Sequence, residues 1–197
     1  MTSYTIDQFS KITNIPKINL RTWENRYSYL IPLRTETNIR VYSDDLLVRG
    51  INTKLLLENG FKISKISRMN NQEIQTALQR IELSDSKETK VSYYLNKFII
   101  SAINFDEYKF NRLFIKALNE FDFIVFYKVI ILPLLQRVGL LWLTNKMSPS
   151  QEHFLSELIK QKLYTLIDRT TVNNSAKEKW LLFLPENEFH EIGLLFA

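Results

Sequence analysis

The amino-acid sequence predicts a mainly α protein in three parts. A basic head of helices around a short hairpin comes first. Four longer helices follow, and the first strand of an incomplete α/β domain stands at the C-terminus. Three observations lead there. Only four glycines occur in 197 residues, which favours helix over turn-rich sheet. Phe, Tyr, Leu and Ile recur at helical spacing from Val91 to about Thr171. The positive charge is concentrated at the front: residues 1–75 carry eleven Lys/Arg against seven Asp/Glu, whereas the remainder carries fifteen against fourteen.

Thr5 and Gln8 have the spacing of a capping box, opening a helix that runs to about Thr13. Asn14–Pro16 is a turn, and Pro16 suits the first position of a second helix reaching Tyr27. Leu20, Trp23 and Tyr27 fall on one face of it, leaving Lys17, Asn19, Arg21 and Arg26 to the others. Two helices joined by a tight turn, the second polar and basic outside, form a helix-turn-helix pattern. Leu33–Tyr42 is too short for another helix and reads as two brief strands around Glu36–Asn38, a wing. Ser43 then caps a helix to about Asn59, with Gly60 as its stop. A further short helix starts at Ser64, and the polar stretch Glu82–Lys90 is the best linker.

Four helices are expected near 91–103, 106–119, 122–143 and 149–171, the count of a four-helix bundle. Ser148 with Gln151 reads as another capping box, so Trp142 ends one helix while Glu152 and His153 begin the next. Residues 172–179 form a second linker. Trp180–Leu184, five apolar residues, has the look of a strand buried on both faces. The predicted domains are therefore 1–81, 91–172 and 179–197.

Composition excludes several classes. With 45% apolar and 24% charged residues the chain is ordinary for a globular protein. No run of 18 apolar residues suggests a membrane span, and the start lacks a secretory signal. The absence of cysteine rules out disulfides and thiolate metal sites, and fits a cytoplasmic protein.

The head resembles the MerR family of winged helix-turn-helix proteins. "YTI" at the start, "LRTWENRY" in the second helix, "RTETNIRVYSDD" in the wing and "LLENGFKISKI" carry the likeness, in order, over about seventy residues. Double-stranded promoter DNA is the implied partner. Polar side chains early in a recognition helix meet base edges, which suits Lys17, Asn19 and Thr22. Arg21, Arg34, Arg40 and the Tyr42 hydroxyl suit phosphate oxygens, Thr35 stands beside them, and Arg26 is placed to reach the wing or the minor groove. Trp23 reads as a core anchor.

Trp142, nine residues, then Glu152-His153 resembles the signature of the helical cap in the CarA/CarH/LitR group of cobalamin-dependent photoreceptor repressors. The resemblance implies that the tryptophan lies over the upper face of adenosylcobalamin, with the Glu-His pair near it. It also implies that Glu188-x-His190-x-x-Gly193 is the cobalamin motif, with His190 the lower axial ligand to cobalt. A ligating imidazole is neutral, with its second nitrogen held by another group, and Gly193 permits close approach to a planar ring. A homo-oligomer on DNA, released by light, is the family's behaviour. The chain departs from it in one respect: an α/β domain of this kind needs roughly another hundred residues, so a domain cut short, and weak cobalamin binding or none by this chain, are expected. The alternative is a MerR-type regulator whose helices serve only oligomerisation or another ligand. An enzyme is disfavoured because no nucleophile–base pair stands out.

Overall fold

The computed structural model describes residues 3–143, 147–170, 178, 180–188 and 191–197. The backbone divides into two compact units, residues 1–152 and 153–197.

In the first unit, β1 (Ser3–Thr5) leads into α1 (Ile6–Thr13), and α2 (Lys17–Tyr27) follows a tight turn. β2 (Leu33–Arg34) and β3 (Arg40–Ser43) make the wing. β3 is the middle strand of a three-stranded antiparallel sheet of order β1-β3-β2, with Tyr4 opposite Tyr42 and Arg34 opposite Arg40. α3 (Asp44–Glu58), the short α4 (Ile63–Ile66) and α5 (Asn71–Glu82) complete the head.

The caps are where the side chains place them. Thr5 and Gln8 form both bonds of a capping box, and the Ser43 hydroxyl accepts from the Leu46 N–H. Pro16 precedes α2 as its cap residue rather than occupying its first turn. Asn14 adopts φ 55°, left-handed backbone that asparagine tolerates, to turn the chain between α1 and α2. The Thr13 hydroxyl donates to the Phe9 carbonyl and accepts from the Ile15 N–H, so the turn's polar groups are satisfied. α5 is an addition to the expected elements; the Asn70–Glu73 capping box that starts it is legible in hindsight.

α5 also changes the expected linker. Because α5 runs to Glu82 and α6 (Lys87–Ile103) begins five residues later, only residues 83–86 separate them. α3 and α5 both pack on α6, so the head is joined to the helical region through an interface. Arg137 donates to the carbonyl of Ile12 in the last turn of α1, 2.8 Å away. That carbonyl lies at the negative end of a helix, a favourable place for a cation. Gln151 makes a second tie: its side-chain amide reaches both the Tyr4 hydroxyl and the Ile103 carbonyl, each at 3.3 Å.

The four expected helical segments are present in order. α6 packs on α7 (Glu107–Glu120), and a rod of α8 (Phe123–Phe126), a widened turn (Tyr127–Ile131) and α9 (Leu132–Leu143) follows. Aromatic rings bind α6, α7 and α8 together: Phe98 lies 5.1 Å from Phe110, and Phe114 lies 5.0 Å from Phe126 in an edge-on arrangement. In the widened turn the Leu132 N–H donates to the Tyr127 carbonyl, five residues back. The next residue, Pro133, has no N–H to continue an α-helical ladder and its ring crowds the carbonyl four residues earlier, which accounts for the local widening.

Phe123–Trp142 is long and apolar enough to cross a membrane by length and composition, with mean hydropathy 1.8, a possibility the scan for an uninterrupted apolar run missed. Lys128, Gln136 and Arg137 interrupt it, and Arg137 is spent on the head. One side of the helix packs on protein, with Phe126, Ile130, Ile131, Leu134 and Val138 buried.

α10 (Pro149–Asp168) starts at the Ser148–Gln151 capping box and crosses into the second unit. There the structure corrects one expectation. Trp180–Leu184 is not a strand, and Trp180, Leu181 and Phe183 are 82%, 86% and 74% exposed. A strand buried on both faces exists only by pairing with neighbours, and no other strand lies among the described residues of this unit. α11 (Ile192–Phe196) closes the described chain.

The crossing of α1 and α3 depends on Gly50. A Cβ there would stand 2.6 Å from the Phe9 ring and 3.0 Å from the Thr13 methyl. Phe9 is fully buried and cannot swing aside. Gly50→Ala should therefore destabilise the protein: overpacking costs about 1–3 kcal/mol, against a helix-propensity gain of at most about 1 kcal/mol. At Gly139 on α9 the same Cβ meets nothing within 4 Å, and Gly139→Ala should gain about 0.5–1 kcal/mol. Urea titrations of both variants check the opposite signs.

Candidate nucleic-acid interface and cofactor site

α2 buries Leu20 and Trp23 and leaves Lys17, Ile18, Asn19, Arg21, Thr22, Asn25 and Arg26 exposed. Leu20 and Trp23 hold the helix to the head as expected, while Tyr27 is only half-buried. Lys17 pairs with Asp7 across the turn, both side chains well exposed. Such surface pairs are worth about 0–1 kcal/mol, so Lys17 remains available to a stronger anion. Arg21 and Asn19 are exposed at the outer side of the helix. The Arg26 guanidinium lies 5.4 Å from the centre of its neighbour Tyr27's ring.

The wing is held to α2 by one carboxylate. Glu24 accepts from Arg34 at 2.8 Å on one oxygen and from the Arg40 Nε at 2.7 Å on the other. The Glu24 side chain is only 12% exposed. Burial pushes its pKa up, but hydrogen bonds from Arg40 and Arg34, with their charge, outweigh that and hold the carboxyl below its ordinary value. Arg34 also donates to the Asn38 side chain at 2.8 Å, and Asn38, at φ 62°, makes the wing's left-handed turn. Thr35 is similarly committed: its hydroxyl accepts from the Ile39 N–H and bonds Thr37.

Three of the proposed DNA contacts change meaning here. The Tyr42 hydroxyl is enclosed and has no hydrogen-bond partner, its ring packs tilted against Phe9 with centroids 4.3 Å apart, and burial pushes its pKa up to about 12. Tyr42 is a core residue, out of reach of phosphate. Arg34 and Arg40 are not free cations but partners of Glu24, so their positive charge is shared with it. The sequence reading passed over Glu24, although its spacing of one turn from Arg21 and of three residues from Tyr27 gave no sign of a wing partner. Ile18 and Asn25 were also missed.

The residues expected to meet a cofactor lie on three stretches. Trp142, the penultimate residue of α9, is 42% exposed, and Leu140 beside it is 62% exposed. Trp142 is therefore at the surface rather than in the core. The Met147 N–H returns to the Leu141 carbonyl at 3.2 Å, closing the chain back toward α9 before α10 begins. Glu152 sits half-buried in the first turn of α10, where the helix dipole favours an anion. In the second unit His153 is exposed on α10, Glu188 is exposed in a turn, and Gly193 belongs to α11 with open space where a Cβ would stand. His190 lies outside the described residues. A planar ring needs an open apolar surface, and Trp142 offers one.

Comparison with known proteins then places both halves. A model of MerR HTH family regulatory proteins matches residues 4–73, and a model described as a B12 binding domain matches residues 94–167. The chain carries a MerR-type head followed by a B12-binding domain. It is 28% identical over 193 residues to the HTH-type transcriptional repressor CarA of Myxococcus xanthus, covering 96% of this chain and 61% of that protein. To the repressor CarH of the same organism it is 23% identical over 198 residues, covering 99% of this chain and 66% of the relative. It therefore spans less than two thirds of either repressor. The HTH-type transcriptional regulator MlrA of Escherichia coli (strain K12) is 29% identical over 96 residues, 47% of this chain and 37% of the regulator.

In the MerR-type head, Glu24→Gln should loosen the wing. Losing charge-assisted bonds to two partly exposed arginines should cost roughly 1–2 kcal/mol. Because the folded pKa of Glu24 is depressed, its contribution is complete above the carboxylate range of the unfolded chain and disappears as pH falls through the folded value. Urea titrations stepped from neutral pH into acid should show Glu24→Gln destabilised at neutral pH and converging on the parent in acid.

Proposed function

We propose that the protein is a sequence-specific, DNA-binding transcriptional regulator whose affinity for DNA responds to cobalamin. The observation that carries the first half is the exposed face of α2, with Lys17, Arg21 and Arg26 around Asn19 and Asn25, beside a wing held in place by Glu24. An exposed helix with early polar side chains and flanking cations has the form that enters a major groove. The relatives' names, transcriptional repressors and a transcriptional regulator, support the same reading over catalysis.

For the second half, Trp142, Glu152, His153, Glu188, His190 and Gly193 are the residues that would hold cobalamin, with His190 supplying the imidazole. The open apolar surface of Trp142 fits that role. When bound, cobalamin would supply a cobalt centre with a bond that can be made and broken, and the apolar surface of Trp142 would limit the access of water to it. Association into a homo-oligomer on promoter DNA in the cytoplasm completes the reading.

Fluorescence anisotropy with duplex DNA over a range of salt tests the head. Arg21→Ala should weaken binding to all sequences alike and reduce the salt slope by about one unit; an unchanged slope removes Arg21 from the contacts. Cobalamin titrated into the protein, with absorbance and DNA affinity both recorded, tests the second half. Trp142→Ala should weaken cobalamin binding without altering DNA binding by the cobalamin-free protein. Equal cobalamin affinity in parent and variant would refute the role of Trp142. Illumination of the complex tests the light response.

A further inference from the structure

The recognition face of α2 contains one apolar side chain. Ile18 is 66% exposed, in the second position of the helix, among Lys17, Asn19, Arg21, Thr22 and Asn25. Single exposed apolar residues are common and by themselves mean little. Here a second observation joins it. Thr22 stands one turn further along the same face, and its hydroxyl donates to the Ile18 carbonyl at 2.8 Å. With the oxygen folded back on the helix, the γ-methyl is the other branch of an exposed side chain. Ile18 and the Thr22 methyl therefore make a small apolar spot on an otherwise polar, cationic surface.

The charge around the spot selects its occupant. Lys17, Arg21 and Arg26 on the same short helix favour a polyanion over an apolar protein face. The edges of base pairs in a major groove carry hydrogen-bonding groups and one methyl group, the C5 methyl of thymine, which is where an apolar side chain makes its contact. We propose that Ile18, with the Thr22 methyl beside it, reads a thymine methyl in the operator and so determines specificity at one base pair. Thr22 thereby acts through its methyl rather than as a hydrogen-bond donor to a base. The inference rests on the DNA-binding reading above and adds to it a named specificity residue and the chemical group it recognises.

Deoxyuridine tests this directly, because it differs from thymidine only by that methyl. The preferred duplex is first selected from a randomised pool with the full chain, and each thymine is then replaced singly by uracil. One replacement should weaken binding by about fourfold, the equivalent of burying one methyl group. Ile18→Ala should bind the thymine and uracil duplexes equally at that position, while its salt slope, which counts phosphate contacts, stays that of the parent. Ile18→Val should keep part of the discrimination. Indifference of the parent to every uracil replacement overturns the inference, and so does an undiminished penalty in Ile18→Ala, while both leave DNA binding intact. A pool that yields no preferred duplex overturns the DNA-binding reading along with it.

Discussion

The head depends on how closely α3 passes α1. Gly50 lets the α3 backbone lie against the Phe9 ring, and Phe9 in turn packs against Tyr42 of the central strand. One contact thus sets the distance between two helices and the height of the wing sheet above them. α2 is carried on this frame through Leu20 and Trp23, and the Thr13–Ile15 turn leaves little freedom in its direction. A recognition helix is useful only if its outer residues are held at a fixed angle to the groove, and a close-packed core supplies that rigidity.

On this frame the electrostatics are arranged for position more than for charge. Arg34 and Arg40 are neutralised in part by Glu24, so the wing presents less positive charge than its sequence implies. What the pair provides is a wing tied to the middle of α2 by hydrogen bonds of 2.7 and 2.8 Å. A phosphate approaching the wing competes with a half-enclosed carboxylate that is already well paired. Lys17 is held only by an exposed pair with Asp7, and Arg21 is exposed, so their charge is less committed than that of the wing arginines.

Helical region and head are tied by polar contacts as well as by packing. Arg137 reaches the end of α1, and Gln151 reaches Tyr4, whose hydroxyl donates to Asp44 at the start of α3. Both residues stand close in sequence to residues proposed for cobalamin, Arg137 five positions before Trp142 and Gln151 next to Glu152. Such links are directional and partly enclosed, so they resist sliding in a way that apolar contact alone does not. They tie the base of the head to the middle of α9 and the start of α10.

Local chemistry determined much of this from the sequence alone. The Thr5, Ser43 and Ser148 caps, the turn at Asn14, the stop at Gly60 and the four later helical segments are set by residues within a few positions of one another. The motifs that mark a MerR-type head and a B12-binding domain are likewise linear. Burial and pairing across the fold were decided only by tertiary structure. Tyr42 reads as a polar wing residue until Phe9 is seen beneath it, and Arg34 and Arg40 read as phosphate ligands until Glu24 is found between them. Trp180–Leu184 reads as a strand because apolar runs usually are, but a strand is a relation between segments, and those residues alone do not contain its partner.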